Sequence, residues 1–347
     1  MKRKNGNFLK FSLLAAVFLL AFFGSFLLGR YHVSPWESIR ILISRILARV
    51  SGGKWELAQT WSPTQASAVL NVRFPRIASA ALVGAALSVA GVSFQGMFRN
   101  PMVSPDLLGA STGAGFGAAL AILMELSYFA ITLSAFCFGL LAVALAYVVG
   151  RRGKLHTGLG MVLAGVMVSS LFSSGTSFIK LVADTDSQLP AITYWLMGSL
   201  SSVKRRDLWF AAIPILLGIV PLLFLRWRMN LLTLSEAEAR SMGVNTNLLR
   251  FIVILCATLM TAGSVSVSGM IGWVGLVIPH FCRMMFGYDY RRLLPASALM
   301  GASFLMIVDD LARILTTSEI PLGILTSFVG APLFLYLILT GGVQRAN

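Results

Sequence analysis

From Leu107 to Gly150 the chain carries a single charged residue, Glu125, and from Phe251 to Cys282 it carries none. Each stretch exceeds the ~20 apolar residues that one bilayer crossing takes. Neither suits a surface helix of a soluble domain, because no charged face is left to meet water. The whole chain agrees: of 347 residues, 57% are hydrophobic and 12% charged, against ~25% charged in a soluble domain. So much apolar surface with so little charge excludes a soluble enzyme, a secreted disulfide scaffold and a disordered chain. Cys137, Cys256 and Cys282 lie in apolar runs without a CxxC pair and read as small buried hydrophobes.

Cut at their most polar or glycine-rich points, the apolar runs give ten spans, at about 8–28, 77–98, 107–124, 128–149, 158–182, 208–225, 249–268, 271–286, 293–312 and 322–340. The cuts inside the two long runs fall at Glu125-Leu126-Ser127 and in the small-residue cluster 263–269. A basic start, Met1-Lys2-Arg3-Lys4, precedes the first span. The apolar core behind it exceeds the ~7–15 residues of a secretory signal, so a retained span with a cytoplasmic N-terminus is expected. Residues 30–76 form an extracytoplasmic loop in which Pro35–Val50 suits a surface helix, with Trp36, Trp55 and Trp61 at headgroup level. Residues 191–202 are apolar but too short to cross and suit a half-helix or the lead-in to the next span. Residues 226–250 are too polar to cross; two short helices joined through Ser241-Met242-Gly243-Val244 fit them. An even number of spans returns both termini to the cytoplasm, with 1–347 as a single transmembrane domain.

Lys and Arg number 28 against 13 Asp and Glu, a net charge of +15. In a soluble chain that excess points to nucleic acid. In a membrane chain it holds cytoplasmic loops inside, so membrane lipid and not nucleic acid is the expected partner. Arg151, Arg152, Arg226, Arg228, Arg291 and Arg292 fall on inner segments of this topology, while Lys204-Arg205-Arg206 runs against it.

The chemistry is sparse. Gly53-Lys54 and Gly153-Lys154 are followed by Trp and Leu, so neither is a phosphate-binding loop. No catalytic cluster is found, and any ATP hydrolysis belongs to a partner. Ionisable groups are almost absent at mid-span, where ion-coupled carriers keep them. Asp309 and Asp310, near the outer end of span nine, stand one helical turn from Arg313 and suit local pairing. His32, His156 and His280 are scattered, without a second ligand at i+3 or i+4, so neither a metal site nor a cofactor is expected. Gly84, Ser88 and Gly91 in span two, and Gly109, Gly113 and Gly117 in span three, let helix backbones approach, within the chain or across a subunit contact. Pro75, Pro101, Pro105, Pro190, Pro279, Pro295, Pro321 and Pro332 read as lying at or near span ends, and such interruptions fit a transporter. These residues leave three classes open: a permease driven by a partner ATPase, an ion-coupled secondary transporter, and a membrane scaffold or integral enzyme.

A series of motifs then narrows the choice. Arg73-Phe74-Pro75-Arg76 is followed by Gln95, Arg99-Asn100-Pro101 and Leu108-Gly109, and later by Leu163-Ala164-Gly165 and Trp195-Leu196-Met197-Gly198. Gly269-Met270-Ile271-Gly272-Trp273, Ile278-Pro279-His280 and Glu319-Ile320-Pro321-Leu322-Gly323 complete the series. In kind and order it resembles the FecCD permease family, over about 70–343. The resemblance implies an all-α polytopic membrane protein with about ten transmembrane helices, the permease fold of type II ABC importers. The implied cargo is an iron-siderophore, haem, cobalamin or molybdate. The implied partners are a second copy of the chain, two cytoplasmic ABC ATPase subunits and an extracytoplasmic substrate-binding protein, in a bacterial or archaeal plasma (inner) membrane.

The resemblance also implies residue roles. Residues 231–244 resemble cytoplasmic coupling helices that seat in an ATPase groove, with Leu234, Glu236, Glu238, Arg240 and Gly243 as contacts. Leu234-Ser235-Glu236 stands where the family has Leu-Gly-Glu, and Asp289-Tyr290-Arg291 has Tyr where His is common. Arg73, Arg76 and Arg313 match arginines that face acidic residues of the binding protein, a use to which the guanidinium fork is suited. Asn100-Pro101-Met102 resembles the inner gate, with Gln95 as a pathway-lining residue beside it. The implied mechanism is alternating access driven by the ATPases.

Overall fold

The computed structural model describes residues 2–29, 31, 33–52, 58–152, 158–234 and 236–339; of residues 2–5, 236, 237, 240, 337 and 338 it describes the backbone alone. Every regular element among them is helical. Helix α1, Lys2–Ser25, is followed by α2, Pro35–Val50, with the bounds expected for the surface helix. Pro35 starts α2 where a missing N–H costs nothing. Ser38 and Ile41 turn inward while Trp36 and Ile46 stay exposed.

Helix α3, Pro63–Ser67, begins on a capping box made by Ser62 and Gln65. It runs through a π-helical segment, Ala68–Arg73, into α4, Phe74–Met97. The span expected to begin at 77 therefore begins at Pro63. Pro75 lacks an N–H and its ring crowds the preceding turn; the wider π turn absorbs the misfit without ending the helix.

Helix α4 is the buried axis of the fold. It packs against α9 (Arg205–Met229), α11 (Thr246–Ser268), α12 (Val274–Phe286) and α13 (Tyr290–Ile314). Two crossings are glycine on glycine. A Cβ on Gly84 would lie 2.2 Å from the Gly301 carbonyl oxygen, and one on Gly91 would lie 1.9 Å from that of Gly275. The small-residue seam of span two thus closes within the chain, backbone to backbone. The seam of α5 (Ala110–Leu123) does the same against α6 (Tyr128–Arg152), and the turn between them falls where Glu125-Leu126-Ser127 predicted it.

Among the described residues, seven helical segments are long and apolar enough to cross a membrane: α1, the continuous α3–α4, α6, α7 (Gly158–Val182), α9, α11 and α13. The apolar stretches of α5, α12 and α14 (Leu322–Leu339) are shorter among the described residues, so seven of the ten spans read from sequence meet the length there. Two further expectations change. The break placed in 263–269 lies at 269–273, because Ser264 and Ser268 donate their hydroxyls to carbonyls one turn back, at 2.7 and 2.8 Å, and stay helical. Gly269 and Trp273 then take φ of +66° and +69° and end the run. Pro279 and Pro332, expected at span ends, lie inside α12 and α14, and Pro214 and Pro221 lie inside α9.

The break also forms a knot. Helix α8, Gln188–Met197, is the half-helix expected at 191–202. Ser199 N–H donates to Ser268 C=O, and Leu322 N–H to Gly198 C=O, each at 2.8 Å. The ends of α8 and α11 and the start of α14 are thereby tied at one point.

Candidate functional site

The molecule has two chemically distinct ends and a polar face between them. Helix α1 fixes which residues share an end. Lys10 Nζ donates to the Met285 carbonyl at 2.5 Å, beside the end of α12. One helix length away, Ser25 Oγ donates to Asp310 Oδ2 at 2.7 Å, near the end of α13.

Arg73, Arg76 and Arg313 meet at the second of these ends. The π segment turns Arg73 inward, where its guanidinium donates to the Phe26 and Tyr31 carbonyls. Arg76 holds Asp309 through Nε and Nη2, at 2.9 to 3.0 Å, and Glu319 through Nη1 at 2.9 Å. Arg313 reaches Asp309 at 3.3 Å, Asp310, and the Leu28 carbonyl at 3.0 Å. The local pairing expected of Asp309 and Asp310 with Arg313 is therefore present, with Arg76 added. All three arginines are buried, at 5–6% exposure. Their hydrogen-bonding capacity is turned inward, not outward as an open docking surface would have it. Glu319 is the loosest member: its side chain is 22% exposed, and its Oε2 has no hydrogen-bond partner.

The other end carries α10, Glu236–Ser241, joined to α9 by a 3-10 turn, Asn230–Thr233. Leu234 is half-buried, Glu238 exposed and Ala239 buried. Gly243 ends this helix with φ +76°, and open space surrounds the position of its missing Cβ, so conformation and not crowding requires glycine there. Ser235 and the side chains of Glu236 and Arg240 lie outside the described residues, as do His32, His156, Gly53, Lys54, Gly153 and Lys154.

Sequence reasoning missed a brace at this end. Asn230 Nδ2 donates to Asp289 Oδ1, and Asn230 Oδ1 accepts from Tyr290 N–H, both at 3.0 Å. Asp289 also accepts from Arg291 N–H. Partial burial opposes ionisation of Asp289, but these donors and the charges of Arg291 and Arg292 outweigh it and hold the carboxyl below its ordinary range. Two residues so far apart in sequence give no pairing signal without coordinates.

Asn100 and Met102 lie exposed in the turn after α4, where Asn100 Oδ1 accepts from Met102 N–H at 2.9 Å. Gln95 packs away from these exposed side chains. It is buried, and its Nε2 donates to the Val103 and Gly275 carbonyls at 3.2 and 3.3 Å. Its amide pins the turn to the start of α12.

Between the ends, α7 exposes Ser170, Ser173, Ser174 and Ser177 on one side. The i, i+3, i+4, i+7 spacing was legible in the sequence but overlooked. Hydroxyls at bilayer depth face protein or water in preference to lipid. An apolar recess of about 600 Å³ is lined by Met197, Met270 and Phe328 at the knot of α8, α11 and α14.

The model of the FecCD transport family matches residues 17–340. The chain is 41% identical over 321 residues to the molybdate import system permease protein MolB of Haemophilus influenzae, covering 92% of each chain. It is 36% identical over 312 residues to the vitamin B12 import system permease protein BtuC of Escherichia coli, covering 88% of this chain and 94% of the relative. A solved structure described as an inward-facing conformation of a metal-chelate type ABC transporter superposes with a TM-score of 0.82 at 37% identity, covering 94% of this chain and 97% of that one.

Proposed function

This chain belongs to the FecCD transport family, and from that membership we propose that it is the membrane-spanning permease subunit of an ATP-binding-cassette importer for a metal chelate or related oxyanion. The observation that carries the reading is the near full-length likeness, in sequence and in shape, to importer permeases. The chain is a multi-pass membrane protein. In the proposed arrangement 1–347 form one transmembrane domain in a bacterial or archaeal plasma membrane. The short helices α5, α12 and α14 complete ten spans, and both termini lie in the cytoplasm. The serine face of α7 supports a homodimer with the pathway on its axis, because that face needs a cover more polar than lipid.

The roles follow the two ends. Leu234, Glu236, Glu238, Arg240 and Gly243 contact one of two cytoplasmic ATPases, which hydrolyse ATP while the permease does no covalent chemistry. Nucleotide-driven closure of the ATPases moves α10, and the Asn230–Asp289 brace carries that movement to α12 and α13. Asn100 and Met102 narrow the inner mouth. Arg73, Arg76 and Arg313 mark the outer face toward an extracytoplasmic binding protein, whose carboxylate reaches Arg76 by replacing Glu319.

Reconstitution tests the reading. Proteoliposomes holding the chain, its cognate ATPase and the loaded binding protein are expected to take up cargo only with ATP, in the presence of ionophores that dissipate all gradients. A Gly243→Ala substitution, strained by the positive φ, lowers uptake without lowering binding-protein docking. Uptake that survives without the ATPase and collapses with the ionophores would identify an ion-coupled secondary transporter instead.

A further inference from the structure

Beside the Asn100 turn the α10 end opens into a cavity of about 1230 Å³. Arg99, Arg151 and Arg250 line it from three elements: the turn after α4, the last turn of α6 and the first turns of α11. Asn100, Asn245 and Asn247 add amide groups, and no Asp or Glu lines the cavity among the described residues. Arg99 and Arg250 have no ion-pair partner there, and the one hydrogen bond of Arg151 goes to the Tyr147 hydroxyl at 3.4 Å. Arg99 holds a left-handed φ of +50°, uncommon for a residue with a Cβ. The walls are apolar, with Val103, Val162 and Ile254 among them. Three cations line one cavity with no acidic side chain among its described lining, so the cavity carries an excess of positive charge that attracts an anion.

We propose that this cavity is an anion-binding site that takes a compact, multiply charged oxyanion. Resting on the importer reading above, it is where anionic cargo is held after the Asn100 turn and before release. A lipid headgroup phosphate, a singly charged phosphodiester, is also an oxyanion that such a cavity attracts, and the two sources separate by experiment. The full-length chain in phosphatidylcholine nanodiscs is titrated with molybdate at low and high salt, and its melting is compared in phosphatidylcholine and phosphatidylglycerol nanodiscs. The expected result is saturable molybdate binding that weakens with salt. Each of R99Q, R151Q and R250Q weakens it about five-fold, the triple variant abolishes it, and R49Q on the exposed face of α2 leaves it unchanged. A response to phosphatidylglycerol alone, lost in the same variants, assigns the site to lipid. If the triple variant does not fold, R151Q carries the test by itself. Equal binding in wild type and R151Q, or no response of the wild type to either probe, overturns the proposal. ATP-driven uptake without anion binding removes only this site. Anion binding without ATP-driven uptake removes the importer reading and leaves the site.

Discussion

At Arg76 every guanidinium nitrogen has a carboxylate: Asp309 on Nε and Nη2, Glu319 on Nη1. The two acids are not equivalent. Asp309 is 1% exposed and serves Arg313 as well, so removing it strands buried positive charge. Asp309→Ala is expected to cost about 3–5 kcal/mol, measured as lost thermal stability in detergent. Glu319 is partly exposed and has an orphaned Oε2; Glu319→Gln is expected to cost about 0–1 kcal/mol. If a binding protein's carboxylate takes the place of Glu319, the same E319Q substitution tightens docking in surface-binding measurements, and R76Q abolishes it. An unchanged affinity in E319Q would show that no exchange occurs. The span reading put these three arginines at the same end of the bundle, where the structure brings them together, and the one-turn spacing of Arg313 from two acids marked their local pairing. It did not reveal their burial, because the Arg76 partners are more than two hundred residues away.

Among the helices, the same residue type carries opposite sensitivities. Gly84 and Gly301 touch through backbone atoms, which have no rotamer by which to yield. Gly24 has nothing within 4 Å of its missing Cβ. Gly84→Ala is therefore expected to lower the yield of folded, monodisperse protein sharply, and Gly24→Ala to leave it unchanged, both read by size-exclusion profile. The Asn230–Asp289 brace adds a pH signature. Asp289 is held below its ordinary value, so its contribution is present above the unfolded-state value of about 3.9 and is lost as pH falls through the lower folded value. The penalty of Asp289→Ala should be constant from pH 7 to 5 and should shrink only well below pH 4. A penalty that already fades near pH 6 would contradict the assignment. Element by element, the surface helix at Pro35–Val50, the turn at Glu125 and α7 were legible, because charge and periodicity mark them directly. The start at Pro63 was not, because a proline at 75 reads as a helix start unless a π turn is anticipated. The span end at 268 was legible, but the break region was drawn too far toward 263, because serines and glycines look alike as turn formers until their hydroxyls are seen bonded along the helix.

For the molecule as a whole, the question is which exposed face meets lipid and which meets water. Apolar side chains exposed on α6, such as Leu141 and Leu145, need no partner beyond acyl chains. The α7 face is different, since Ser170, Ser173, Ser174 and Ser177 alternate there with exposed Leu171 and Phe178. Each seryl hydroxyl can satisfy its proton on a carbonyl one turn back, as Ser170 does on Val166 and Ser177 on Ser173. The oxygen lone pairs stay open and favour a wet or protein-covered surface. With exposed Cys137 first replaced by Ala, a cysteine at Ser173 or Ser177 is expected to react with a water-soluble thiol reagent. One at Leu141, facing acyl chains, is expected to stay silent. ATP or the loaded binding protein should change the first rate and not the second, because only a pathway alternates its access. If Ser173→Cys and Ser177→Cys are as silent as Leu141→Cys in every nucleotide state, α7 lies against lipid and the conduit must run elsewhere in the bundle.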